Sequence, residues 1–245
     1  MCSIRCWYKT EGFRRALGYG FLFISRHQKP SKSIRYNMPC LLFDNKKGEF
    51  TWECSLDIEP WGRSLVWTDC RLLDTCRYME KLSGLEIMPQ LTFRRLGEGM
   101  TQSPSLKLCG FAVDIGKGLA DAELDRLRKL CTQSGLFSFV APKSIAPKWV
   151  ACELRGETWG HNKLQSVFPG DRGCHVLALQ DALLLLGRCE LALTGVCDKK
   201  TVESVRILRR EAGLPDARHV DSMLWNYIIT EGHKRAEASD RMLYR

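Results

Sequence analysis

The chain has 245 residues, of which 44 % are hydrophobic and 27 % charged, and its formal net charge is +9. This length and composition are typical of a folded protein with one large domain or two small ones, and they exclude collagen, coiled coil and overall disorder. No run of about 18 apolar residues occurs, so we predict no membrane-spanning helix.

Most of the excess positive charge lies in residues 1–36. They contain eight basic side chains and one acidic side chain, which gives them +7 of the net +9. Such a basic N-terminal arm can bind nucleic acid, acidic lipid or a wall polymer, or it can be a solvated tail. An apolar run over 16–24 follows two arginines, but it is short, contains two glycines and lacks a small-x-small cleavage site, so we do not predict a signal peptide.

The chain contains twelve cysteines, a high number. No C-x-x-C pair occurs and no cysteines and histidines have zinc-finger spacing. Cysteine is a common small apolar residue in cores, and Cys131 and Cys189 lie in or beside helical segments. We therefore expect reduced, buried thiols, although the even number also permits disulfides and leaves the cellular compartment open.

Residues 37–154 mix short strands with helices. Residues 38–56 are typical of a β-hairpin around a polar turn at 44–48. Apolar spacing and capping residues predict the elements that follow: a helix capped by Thr68 and closed by Gly84, strands over 88–93 and 111–115, a helix from Asp121 to just before Gly135, and strands over 136–140 and 149–153. This mixture predicts an α+β domain with a small antiparallel sheet.

The C-terminal part of the chain is mostly helical. Residues 155–166 are polar and contain two glycines, so we interpret them as a linker. The pattern of residues 167–230 predicts three helices. The first has apolar residues at i, i+3 and i+7, the second is capped by Asp198, and the third begins at Asp221. We interpret residues 231–245 as a C-terminal tail.

Residues 105–114 read SLKLCGFAVD. Ser105, Gly110, Ala112 and Asp114 match the pattern S-x-H-x-x-G-x-A-x-D, and this segment resembles the M15 family of zinc D-Ala-D-Ala carboxypeptidases and endolysins. In that family a later strand carries aromatic-Val-His-x-acid, and here residues 149–153 read WVACE. The resemblance covers about 57–153.

The resemblance also shows where this chain departs from the family. The two histidine positions hold Lys107 and Ala151, while Asp114 remains. Catalytic zinc needs three protein ligands and an open position for water, so the resemblance implies a degenerate metal site and no zinc. It further implies that Arg95 corresponds to a substrate-contacting arginine and that Arg95, Asp114 and Glu153 are vestiges of a catalytic site. We expect Lys107 to pair with Asp114, since an unpaired buried carboxylate is costly.

An alternative is a rearranged metal site. Cys109, Asp114 and Glu153 could together hold zinc and support hydrolysis, whereas Cys152 should face away from Ala151 because strand side chains alternate. Among the five histidines, only His161 is close enough in sequence to this strand to be considered near Asp114.

Residues 167–229 resemble a peptidoglycan-binding-type three-helix module. The pattern G-x-x-G-x-x-V-x-x-L-Q-x-x-L-x-x-L-G is matched by Gly170, Gly173, Val176, Leu179, Gln180, Leu183, Leu186 and Gly187. Most matched positions are apolar or glycine and therefore predict the fold rather than the ligand. The candidate ligand-binding residues are Arg172, His175, Gln180, Arg209 and Trp225. Gln180 is equally suited to holding a loop by hydrogen bonds.

Together the two resemblances predict a non-catalytic protein that binds peptidoglycan or its stem peptides, with a wall or extracellular location favoured. The first alternative is an active peptidase with the rearranged zinc site. The second is a structural module whose basic arm over 1–36 binds nucleic acid or acidic lipid.

Overall fold

The computed structural model describes residues 37–44, 47, 49–58, 66–96, 106–154, 164–188 and 190–243. The predicted basic arm over 1–36, most of the predicted linker, and His161 lie outside the described residues. The described part is a mixed α+β structure.

The elements up to residue 153 are strands interspersed with helices, and those beyond it are helices. The strands are β1 (Asn37–Asp44), β2 (Glu49–Ile58), β3 (Val66–Asp69), β4 (Gln90–Leu91), β5 (Ala112–Ile115), β6 (Phe139–Val140) and β7 (Val150–Glu153). The helices are α1 (Cys70–Ser83), α2 (Asp121–Ser134), α3 (Cys174–Leu185), α4 (Lys199–Glu211) and α5 (Ser222–Leu243), and a 3₁₀ helix spans Leu106–Cys109.

The seven strands form one sheet in the order β3-β1-β2-β4-β5-β7-β6. The predicted hairpin is confirmed, since β1 and β2 pair antiparallel. The prediction of an antiparallel sheet is only partly right, because β3 runs parallel to β1 and β4 runs parallel to β2. The hairpin occupies the middle of this half of the sheet, so β3 and β4 add to its two outer edges.

The two helices of the α+β domain begin and end close to the predicted residues. Helix α2 spans Asp121–Ser134, and Gly135 follows it at a φ of +64°. Helix α1 ends at Gly84 as predicted, but its N-cap is Asp69, whose side chain accepts a hydrogen bond from the Arg71 amide. Thr68, the predicted cap, instead donates its hydroxyl to the Gly110 carbonyl at 2.6 Å.

Helices α1 and α2 cover one face of the sheet. The buried residues of α1 include Leu72, Cys76 and Met79, and those of α2 are Leu124, Leu127 and Cys131. They share a core with the inward residues of β5 and β7, which are Val113, Ile115, Val150 and Cys152. Cys131 and Cys152 both lie in this core. Cys70, Cys76, Cys109, Cys131, Cys152, Cys174 and Cys197 are free thiols, and all of these except the half-buried Cys70 are buried, as expected.

The C-terminal module contains the three predicted helices. An antiparallel bridge between Val167 and Val220 joins its first residues to the start of α5, and a second bridge joins Arg172 to Val196. Helix α5 continues to Leu243, into the residues predicted as a tail. None of the helices within the described residues is both long enough and apolar enough to cross a membrane.

The module is docked against the α+β domain. Buried residues of both parts form one continuous hydrophobic cluster. Phe43 lies against Gly173, where an added Cβ would be 3.2 Å from the ring. Leu96 lies against Gly232 of α5, where an added Cβ would be only 2.4 Å from the leucine side chain. These two glycines allow the helices to approach the domain closely.

Candidate functional site

The candidate site is the sheet face that α1 and α2 leave uncovered. In the antiparallel pairing of β5 with β7, Asp114 lies opposite Ala151, and Ala112 lies opposite Glu153. Gln90 of β4 lies on the other side of Asp114. Opposed residues point to the same face, so Gln90, Asp114 and Ala151 form one row across three strands. We call this row, together with Glu153, the polar sheet face.

The alternation along β7 agrees with the prediction. Cys152 is buried on the helix-covered side, whereas Ala151 and Glu153 are half-buried. Asp114 and Ala151 therefore lie side by side on neighbouring strands. The methyl side chain of Ala151 therefore lies next to the carboxylate of Asp114.

Asp114 is 7 % exposed and forms an ion pair with a lysine that the sequence analysis missed. The Nζ of Lys117 lies 3.4 Å from the Asp114 carboxylate and 5.3 Å from the centre of the Trp149 ring. The glycines on either side of Lys117 both have positive φ values, which turn the chain back after β5. A basic residue between two glycines, three residues after the aspartate, is the feature of the sequence that could have predicted this pair.

Lys107 lies in the 3₁₀ helix before β5 and is half-buried. Its carbonyl accepts hydrogen bonds from the Arg94 and Gly110 amides, at 3.2 and 3.3 Å. This backbone role fixes the segment that leads into β5. Its predicted side-chain pairing with Asp114 stays a prediction.

That the site holds no catalytic zinc stays a prediction, and it rests on the residues at the ligand positions. Lys107 and Ala151 provide no ligand, and the described residues contain no group of three or more His, Cys, Asp or Glu side chains suited to a metal ion. Cys109, the candidate ligand of the rearranged site, is 1 % exposed, and burial raises its pKa to about 12. Its sulfur is therefore protonated at neutral pH, and metals bind the thiolate.

Arg95 is engaged by the C-terminal module. Its Nη2 lies 2.9 Å from the carboxylate of Asp181 on α3, and both side chains are mostly shielded from solvent. The resemblance implied a substrate-contacting arginine, but this ion pair instead joins the α+β domain to the module. The difference arises because the module docks against the residues that follow β4.

Three of the five candidate ligand-binding residues in the module are buried. Gln180 is fully buried and hydrogen-bonds to residues 194–196 and to Thr201. Arg209 donates to the Pro215 carbonyl at 2.7 Å, and its guanidinium lies 3.0 Å from the Asp221 carboxylate. Trp225 is 1 % exposed, and its indole N–H donates to the Gln165 carbonyl at 2.9 Å. All three hold the fold, so only Arg172 and His175 remain as candidates.

Arg172 is exposed, whereas His175 is half-buried near Asp69 and Arg71 of the α+β domain. The Nε2 of His175 is shielded from solvent without a hydrogen-bond partner among the described residues. Burial lowers the pKa of His175 below its ordinary value of 6.5, partly offset by the carboxylates of Asp171 and Asp69, while Arg71 lowers it further. The histidine is thus held neutral in the folded protein.

We expect His175 to make the protein less stable in acid. Below about pH 6.5 the unfolded chain binds a proton at this residue that the folded chain does not bind, so the free energy of unfolding falls as the pH falls. His175→Gln should flatten the dependence of stability on pH between 7.5 and 5.5, measured by urea denaturation. A matched change of the half-exposed His219 to Gln is the control. Identical pH profiles for wild type and His175→Gln would contradict this prediction.

Comparison of the chain with protein-family models, with curated proteins and with solved structures finds no match.

Proposed function

We propose that the chain is a non-catalytic peptidoglycan-binding protein, built from a degenerate carboxypeptidase-like domain and a peptidoglycan-binding-like module. The observation that carries the proposal is the ion pair between Asp114 and Lys117 on the polar sheet face, next to Trp149 and opposite Ala151. The motif aspartate thus has a lysine as its cationic partner.

The polar sheet face suits a short peptide. Lys117 is 30 % exposed, so its ammonium can bind a ligand carboxylate while it stays close to Asp114. Glu153 is half-buried and can accept hydrogen bonds from a ligand amine or amide. Trp149 adds an apolar ring beside the lysine. Stem peptides of the wall polymer carry all three kinds of group: carboxylates, amides and short apolar side chains.

The same residues do not favour hydrolysis. Peptide hydrolysis by the resembled family requires a metal-activated water, and the ligands for that metal are replaced by Lys107 and Ala151. The remaining carboxylate of Asp114 is occupied by an ammonium group.

The experiment is retention on purified peptidoglycan sacculi at physiological salt. We expect the full chain to be retained, and Lys117→Ala to weaken retention because the variant removes the cation from the polar sheet face. Lys143→Ala is the matched control, since Lys143 also forms an ion pair with an aspartate but is 52 % exposed and lies away from this face. No variant should clear a suspension of sacculi.

Three outcomes would contradict the proposal. The first is an absence of retention by the wild-type chain. The second is clearing of sacculi that stops when a chelator is added, which would support a metal-dependent peptidase. The third is binding that is lost on deletion of residues 1–36 and falls steeply with salt, which would support the basic arm as the binding element.

A further inference from the structure

The bridge at the start of the module places two rings on its outer surface. Val167 and Val220 exchange backbone hydrogen bonds at 3.0 and 2.8 Å, and both side chains are fully buried. Side chains alternate along extended backbone, so the next opposed pair, Phe168 and His219, points outward. The bridge therefore turns two adjacent rings towards solvent.

The two rings are stacked on each other. Their centres are 5.2 Å apart and their planes differ by 17°. Phe168 is 51 % exposed, and the side chain of His219 is 37 % exposed. A phenylalanine is usually buried, so an exposed phenylalanine beside a second ring offers a contact surface to a ligand.

Hydrogen bonds hold the backbone on both sides of this ring pair. The Phe168 amide donates to the Asp171 carboxylate at 2.8 Å. The His219 carbonyl accepts from the buried guanidinium of Arg209 at 3.3 Å. The pair is thus positioned before any ligand binds, which lowers the entropic cost of binding.

The charge of the module indicates the class of ligand. Residues 167–229 contain eight acidic and eight basic side chains, so they provide no net attraction for a charged polymer. A neutral ligand with a flat apolar face fits a stacked ring pair best, and the C–H face of a pyranose ring has this shape. The histidine nitrogens supply hydrogen-bonding groups at the edge of the pair for hydroxyl or acetamido groups.

We propose that Phe168 and His219 form a binding site for N-acetylhexosamine rings of a glycan strand. The choice of ligand rests on the proposed function, because glycan is the neutral component of peptidoglycan. The site is separate from the polar sheet face, which we assign to the peptide component. The module and the α+β domain would then contact the two different parts of the same polymer.

The test compares Phe168→Ala with Tyr78→Ala. Tyr78 lies on α1 and is 55 % exposed, so its removal takes away a similar exposed aromatic area from the other part of the molecule. Titration of the full chain with a soluble N-acetylglucosamine oligomer, followed by nuclear magnetic resonance, gives the affinity. We expect Phe168→Ala to lower it by about tenfold and Tyr78→Ala to leave it unchanged. Thermal unfolding of both variants checks that they are folded.

The outcomes separate this site from the proposed function. Wild-type retention on sacculi with equal affinity of wild type and Phe168→Ala for the oligomer would overturn the ring site alone. A wild-type chain that binds neither sacculi nor the oligomer would overturn both proposals. Binding of the oligomer without retention on sacculi would support the ring site and overturn the proposed function. Self-association that Phe168→Ala abolishes, without oligomer binding, would instead assign the rings to a second copy of the chain.

Discussion

Replacing Gly110 by alanine is expected to destabilise the α+β domain by about 4 kcal/mol or more. Gly110 has a φ of +67°, and an added Cβ would lie 1.9 Å from the carbonyl oxygen of Trp67. The obstacle is the backbone of β3. Thr68 of the same strand donates its hydroxyl to the Gly110 carbonyl, so β3 cannot move aside without breaking this bond and the sheet edge. Guanidinium denaturation followed by tryptophan fluorescence measures the loss.

Gly84→Ala is the matched control for this prediction. Gly84 has the same φ of +67° but no atom within 4 Å of an added Cβ, so its replacement should cost only the left-handed backbone strain of about 1–2 kcal/mol. The difference between the two variants isolates the contact with Trp67. Equal losses for both variants would show that the close approach at Gly110 does not exist.

Gln180→Met is expected to destabilise the C-terminal module by about 3 kcal/mol. The Gln180 amide nitrogen donates to Thr194, Val196 and Thr201 at 3.0–3.1 Å, and its carbonyl accepts from the Thr194 and Gly195 amides at 2.9 Å. Methionine keeps the length of the side chain but leaves these loop groups without partners. The cost is therefore mainly that of unsatisfied buried polar groups rather than of a cavity.

The control is Gln133→Met on α2, where the side chain is exposed. This variant should change the free energy of unfolding by less than about 0.5 kcal/mol. Urea denaturation followed by circular dichroism compares the two variants. A Gln180→Met chain as stable as the control would contradict the loop-holding role and would return Gln180 to the candidate ligand-binding residues.

These two residues explain part of both resemblances in physical terms. Gly110 matches the glycine of the carboxypeptidase and endolysin pattern, and Gln180 matches the glutamine of the wall-binding pattern. In this structure one allows a close backbone approach and the other holds a loop. The fold therefore requires Gly110 and Gln180 at these positions, whether or not the protein has catalytic or ligand-binding activity.

Local features of the sequence predicted the helices well. Helix α2 has the predicted limits because an acidic first turn and a glycine at positive φ lie next to it in the chain. The strands were less predictable: β4 and β6 contain two residues each, against predicted spans of 88–93 and 136–140. A strand ends where its partner ends, and the partner is distant in sequence.

The candidate site was predictable in position but not in its contacts. Alternation along β7 correctly separated Cys152 from Ala151 and Glu153. The ion pair between Arg95 and Asp181 joins residues that are far apart in the chain, so it required the docking of the module. The burial of Arg209 and Trp225 likewise follows from packing among the helices and the residues before them.

The sequence by itself determined the α+β class, the limits of helix α2 and the identity of the residues at the motif positions, because caps, apolar spacing and glycines act within a few residues. Only the tertiary structure decided that β3 and β4 pair in parallel with the hairpin, that Arg95 joins the module, and that Phe168 stacks on His219. Those contacts depend on which distant surfaces bury the most apolar area together, and that free energy belongs to the whole fold rather than to any segment.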